Sequence, residues 1–113
     1  MTTRGIEAVF LETHNWGKTG RFFLALGYEL EFETDHHSGQ FRNGDGPTIF
    51  VAEVGPDDPV GTRLVFGVAS SSAAFGDDVD VVAPFEETHW GTQLMVVSDP
   101  DGRLWNVEAP ADA

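Results

Sequence analysis

Asp99-Pro100-Asp101-Gly102-Arg103-Leu104-Trp105 separates two runs rich in strand formers, Gln93 to Ser98 and Arg103 to Glu108. Pro100 presets φ for the second position of a turn. Gly102 supplies the left-handed residue that restores strand twist after it. The stretch therefore predicts a closing β-hairpin. Upstream of it, Leu64 to Val68 and Val79 to Phe85 read as strands, with Pro84 marking an edge or a bulge. Ser70 to Phe75 holds at most one or two helical turns. The second half thus reads β-(α)-β-β-β.

The first half repeats that order. Ile6 to Glu12 is an apolar strand run. Asn15 offers an N-cap, and Trp16, Thr19, Phe23 and Leu26 recur three or four apart on one helical face. Gly17 and Gly20 weaken this helix by roughly 1 kcal/mol each, and Gly27 suits the position just past its end. Tyr28-Glu29-Leu30-Glu31-Phe32-Glu33 alternates without a break, which predicts a half-buried strand with one wet face. Gln40 to Arg42 and Thr48 to Val54 complete the half, around a reversal at Asn43-Gly44-Asp45-Gly46-Pro47. Gly55 to Gly61 reads as a linker. The expected organisation is one domain of two modules, residues 5–54 and 62–109, with a linker at 55–61. Two βαβββ units imply an α+β fold, a curled mixed β-sheet with helices outside and a concave face suited to a ligand.

Bulk composition narrows the function. The 113 residues suit one domain, and nine Phe, three Trp and one Tyr can fill its core. With no Cys, disulfides and thiolate chemistry are excluded. The formal net charge of −13 argues against nucleic acid as a partner, because displacing counterions from phosphates requires cationic groups. The same charge keeps a protein soluble and attracts cationic ligands. No stretch is long and apolar enough to span a membrane, and Met1 to Gly5 shows no apolar signal region. A cytoplasmic location is expected.

Three stretches carry a family resemblance. Ile6 to Tyr28, ending in Leu26-Gly27-Tyr28, resembles the opening of the vicinal oxygen chelate superfamily, which includes glyoxalases, bleomycin-resistance proteins and dioxygenases. His89-Trp90-Gly91 looks like that family's motif before the penultimate strand, and Asp99 to Trp105 is similar to its closing hairpin. The resemblance covers nearly the whole chain. It implies a divalent metal held by His or Glu on the first strand of each module and by Glu on the last strand. Those positions fall here on Ala8, Arg63 and Asn106, and Glu53, the nearest acid on the fourth strand, sits off register. A divalent site needs several His or carboxylate donors converging. The expectation is therefore no metal and no other cofactor, with a divalent metal as the alternative. Members of this kind resemble dimers, so a homodimer is expected.

The remaining candidates are weighed by position. His36 and His37 are neighbours in a turn and make a poor chelating pair, because adjacent residues of an extended chain point apart. His14 precedes the helix as a surface or capping residue. His89 sits beside Trp90 at the rim of the inferred cleft. It is either a general base or ligand contact, or an exposed loop residue. Trp90 either stacks on a planar ligand or plugs the end of the sheet. Phe41, Phe50 and Phe85 lie on strands that line the cleft or fill the core. Arg63 and Asn106 should face the cleft. Arg63 would pair there with a ligand anion, or with Glu53 or Glu108. Glu86 and Glu87 form a wet rim. No nucleophile elbow or phosphate-binding loop is present: Ser70-Ser71-Ser72 lacks the flanking glycines, and Asn43 to Gly46 lacks the Lys. The ligand-binding set is Phe41, Phe50, Arg63, Phe85, His89, Trp90, Asn106 and Glu108.

Three functions compete. The first is a metal-free protein that binds a small, partly aromatic molecule, as antibiotic-resistance members do, and the acidic balance fits a cationic one. The second is a lyase, isomerase or dioxygenase with relocated metal ligands or with His89 as base. The third is a non-catalytic interaction module.

Overall fold

Ile6–Thr13 (β1), Trp16–Ala25 (α1), Glu29–Glu33 (β2), Ser38–Arg42 (β3) and Thr48–Glu53 (β4) follow one another in a computed structural model that describes residues 3–111. Thr62–Gly67 (β5), Asp80–Glu87 (β6), Thr92–Ser98 (β7) and Leu104–Pro110 (β8) complete the chain. These elements form two units. One is Ala8–Arg63. The other joins the described residues up to Glu7 with those from Leu64 onward. The chain start groups with the second unit because Arg4 N donates to Gly67 O at 2.7 Å and Gly67 N donates to Gly5 O at 3.1 Å.

In the Ala8–Arg63 unit the strand order is β2-β3-β4-β1, with β1 and β4 parallel and the other pairs antiparallel. Asn15 caps α1 as expected, its Oδ1 accepting from Lys18 N at 2.9 Å. The other end closes with Gly27 at φ +97, Gly27 N donating to Leu24 O and Tyr28 N to Phe23 O. This is a Schellman ending, and its usual apolar contact is present between Phe23 and Tyr28, with ring centroids 5.8 Å apart. Phe23, Phe41 and Val51 form the core, with Leu11, Trp16, Tyr28 and Ile49 packed against it.

β2 departs from its predicted pattern. All five residues are exposed, because β2 is an edge strand. Its register shifts between Leu30 and Phe32: Leu30 pairs with Phe41 and Phe32 with Gln40. Glu31 is thus an extra residue, and the bulge turns Leu30 and Phe32 to opposite faces. Alternation alone had placed them together.

In the other unit the order is β5-β8-β7-β6, with β5 and β8 parallel. Val68, Ala73, Met95, Val97, Val107 and Ala109 form its core. Among the described residues no helix stands here; residues 68–79 run as turns that still deliver Ala73, Phe75 and Val79 to that core. Ser70 Oγ accepts from Ser72 N at 3.1 Å in a single turn that the chain does not continue as a helix, and Gly76 at φ +80 ends the run. The fold class stands, with one helix where two were expected.

The hairpin forms as read. Gly102 N donates to Asp99 O at 2.9 Å, and Gly102 lies at φ +84. The Asp99 carboxylate gathers four donors: Asp101 N and Arg103 N on Oδ1, Arg103 Nε and Trp105 Nε1 on Oδ2. The Trp105 hydrogen bond, then that of Arg103, holds its carboxyl well below the usual carboxylate range. A lowered folded-state pKa stabilises the fold above the unfolded value of about 3.9, and that stabilisation is lost as pH falls through the folded value. Asp99→Asn should therefore lower the urea midpoint at neutral pH. The gap to the parent should narrow in acid, below the ordinary Asp range.

Two glycines make opposite predictions. A Cβ on Gly20 would sit 3.5 Å from Phe41 Cζ, an ordinary contact, so Gly20→Ala should gain about 0.5–1 kcal/mol from helix propensity. A Cβ on Gly39 would meet Phe32 O at 2.6 Å and Trp16 Cη2 at 2.9 Å, so Gly39→Ala should lower the melting temperature.

Candidate functional site

Strand parity in the Ala8–Arg63 unit sends Leu11, Ile49, Val51 and Phe41 toward α1 and leaves Phe10, Phe50 and Gln40 on the other face. The Phe10 and Phe50 rings lie within 8° of parallel, with centroids 6.0 Å apart. The bulge adds Phe32 to this row, 6.2 Å from Phe50 and tilted by 49°. Phe32 remains 47% exposed, and Phe10 and Phe50 are half-buried. Three rings thus form an apolar strip that solvent reaches, on a sheet face with no helix over it.

Its border is polar. Gln40 Nε2 donates to Glu31 Oε1 at 2.6 Å, and Arg42 Nε donates to Glu31 Oε2. Arg42, then Gln40, lowers the Glu31 carboxyl below its ordinary value. The pair is largely solvated, so its effect is to hold positions more than to stabilise the fold. Glu12 follows Phe10 by two residues on the same strand face.

The other unit carries a second polar cluster. Glu108 Oε2 accepts from Trp90 Nε1 at 3.0 Å and from Thr92 Oγ1 at 2.9 Å. Thr88 Oγ1 and Thr92 Oγ1 lie 3.0 Å apart, closing the loop between β6 and β7. Trp90 is 56% exposed, and His89 meets it edge to face at 4.9 Å. Glu108 pairs with Leu94, and Leu94 with Glu86, so these three share the face opposite the Val107 core.

The expected site residues therefore separate. Phe50, Trp90 and Glu108 stand on faces turned away from the cores. Phe41 is 1% exposed beneath α1, and Phe85 packs against the Val107 core, so both leave the candidate site: strand parity turns them inward. Asn106 is buried between Val65 and Val96, and Arg63 is half-buried on β5; each has an interaction partner. His89 makes no hydrogen bond among the described residues, so nothing fixes its tautomer as a general base requires. His14 is tied by Nε2 to Asp58 O at 2.6 Å, and His36 and His37 are exposed. Sequence reasoning missed Phe10, Phe32, Glu31 and Gln40. Pairing Phe10 with Phe50 across parallel strands could have been read from parity. The bulge had no sequence signal.

The metal positions implied by the family resemblance do not make a donor set. Ala8 has no donor, Arg63 is cationic and Asn106 is neutral. Glu53 Oε1 accepts from Trp16 N at 3.0 Å at the start of α1. Among the described residues no three His, Asp or Glu side chains gather where they could hold an ion. The residues present do not fit a divalent metal.

Glu108→Ala should free the Trp90 ring and cost about 1.5–3 kcal/mol, the range for hydrogen bonds to a charged acceptor. Tryptophan fluorescence anisotropy and urea melts read the two effects. A double-mutant cycle with Trp90→Phe should show them coupled.

No protein-family model matches the sequence, and no curated protein matches it. Solved structures do. A glyoxalase/bleomycin resistance protein/dioxygenase superfamily member from Vibrio splendidus 12B01 superposes with TM-score 0.64 at 18% identity, covering 96% of this chain and 99% of that one. A protein described as an NAD-dependent benzaldehyde dehydrogenase from Legionella pneumophila superposes with TM-score 0.66 at 16% identity, covering 91% and 97%. Likeness at this identity is likeness of fold, and one fold hosts many chemistries.

Proposed function

We propose that this chain, which has the glyoxalase/bleomycin-resistance fold, binds a small, partly aromatic molecule and does so without a metal. The observation that carries the reading is the Phe10–Phe50–Phe32 strip, three rings open to solvent on a sheet face that no helix covers. A planar ligand laid on such rings gains apolar burial and ring contacts with little loss of side-chain freedom. Glu12 beside the strip, in a chain of net charge −13, favours a cationic ligand. Binding rather than turnover fits a His89 held by its ring contact with Trp90 and by no hydrogen bond among the described residues, and metal positions occupied by Ala8, Arg63 and Asn106. A homodimer in the cytoplasm, with a role in sequestering toxic compounds such as antibiotics, belongs to the same proposal.

The test is titration of purified protein with proflavine, a planar aromatic cation, and with anilinonaphthalene sulfonate, an aromatic anion. Saturable binding is expected for the cation, with the compound recovered intact and a dimer mass by light scattering. Phe50→Leu should weaken binding by about 1 kcal/mol, roughly fivefold. Equal binding by the variant, or chemical conversion of the probe, would sink the proposal.

A further inference from the structure

The reversal between β3 and β4 holds a reactive pair that the ligand reading does not use. Of the three asparagines, Asn15 spends its side chain capping α1 and precedes the bulky Trp16. Asn106 is buried in β8 and precedes the branched Val107. Asn43 alone precedes a glycine, and both residues are exposed. The turn is closed by Gly46 N donating to Asn43 O at 3.3 Å. Neither the Asn43 side-chain amide nor the Gly44 N–H makes a hydrogen bond among the described residues. Gly44 lies at φ +59 with open space where a Cβ would be, so no side chain shields the turn at this residue.

We propose that Asn43 is a site of spontaneous, succinimide-mediated modification. The Gly44 amide nitrogen gives its proton to solvent base and attacks Asn43 Cγ. The N–Cγ bond forms, the Cγ–Nδ2 bond breaks, and the side-chain nitrogen leaves as ammonia with a proton from solvent. Water then opens the five-membered ring. Cleavage at Cγ gives aspartate; cleavage at the backbone carbonyl gives isoaspartate, whose main chain runs through Cγ. No oxidant or reductant takes part. With no side chain on Gly44 and neither reacting group hydrogen-bonded, this step meets less hindrance than at the other two asparagines.

The product alters its surroundings. Asp45 in the same turn already acts on Arg42 through its charge. A carboxylate at position 43 adds to that field and competes with Glu31 for Arg42. Isoaspartate also lengthens the turn that sets the β3–β4 register, which places Gln40 beside Phe50.

The experiment is incubation of the native chain in mildly alkaline buffer at physiological temperature, beside a sample in denaturant. Peptide mapping by mass spectrometry is combined with enzymatic isoaspartate labelling. The expected result is a gain of one mass unit at position 43, with isoaspartate present, roughly tenfold or more faster than at Asn15 or Asn106. The native rate should lie near the denatured rate, because the turn leaves both reacting groups unengaged. A native chain that does not react at position 43 overturns the proposal. So does aspartate without isoaspartate, which would mean direct hydrolysis, and so does equal reaction at all three asparagines. The outcome is independent of ligand binding.

Discussion

The Asp99 carboxylate accepts two backbone and two side-chain donors across the hairpin between β7 and β8. That clamp sets a register in which Ser98 opposes Leu104 and Leu94 opposes Glu108. Strand side chains alternate with a period of two, so a slip of one residue would exchange the faces of β8. Val107 and Ala109 would leave the core, and Glu108 would no longer reach Trp90 and Thr92. One charged turn residue thus governs both packing and the polar cluster on the other face. Trp105 links the two roles: its Nε1 binds Asp99 while its ring stacks on Phe66 at 5.1 Å.

The Ala8–Arg63 unit depends on a steric constraint instead. Trp16 lies against the Cα of Gly39, and Gly20 lets α1 approach the Phe41 ring. With α1 covering Phe41 and Val51, alternation on β1, β3 and β4 leaves the reverse face to Phe10, Gln40 and Phe50. The bulge at Glu31 then adds one more ring and one more carboxylate to that face. The aromatic strip is therefore a consequence of how the core is built.

The family resemblance and the site chemistry point in different directions. The closing hairpin and the capped first helix reproduce the shared architecture. Yet Ala8, Arg63 and Asn106 stand where the resemblance implies metal donors, and Glu53 is engaged at the α1 terminus. Turns and core packing do not depend on ligand chemistry, so one scaffold can carry different residues at these positions.

The sequence by itself determined what local chemistry controls. The Asn15 cap, the Gly27 ending, the Gly102 turn and the run of strands all follow from backbone preferences within a few residues. The residue types at Ala8, Arg63 and Asn106 were legible for the same reason: a residue type is fixed whatever the fold. The site was only partly legible. Phe50, Trp90 and Glu108 stand on faces turned away from the cores and Phe41 and Phe85 do not, a difference the sequence could not show, because facing direction depends on register with a distant strand. The Glu31 bulge, the exposed edge position of β2 and the loss of a second helix at residues 68–79 were decided by tertiary structure. Each depends on what lies beside the segment, and alternation or propensity along one strand carries no record of its neighbour.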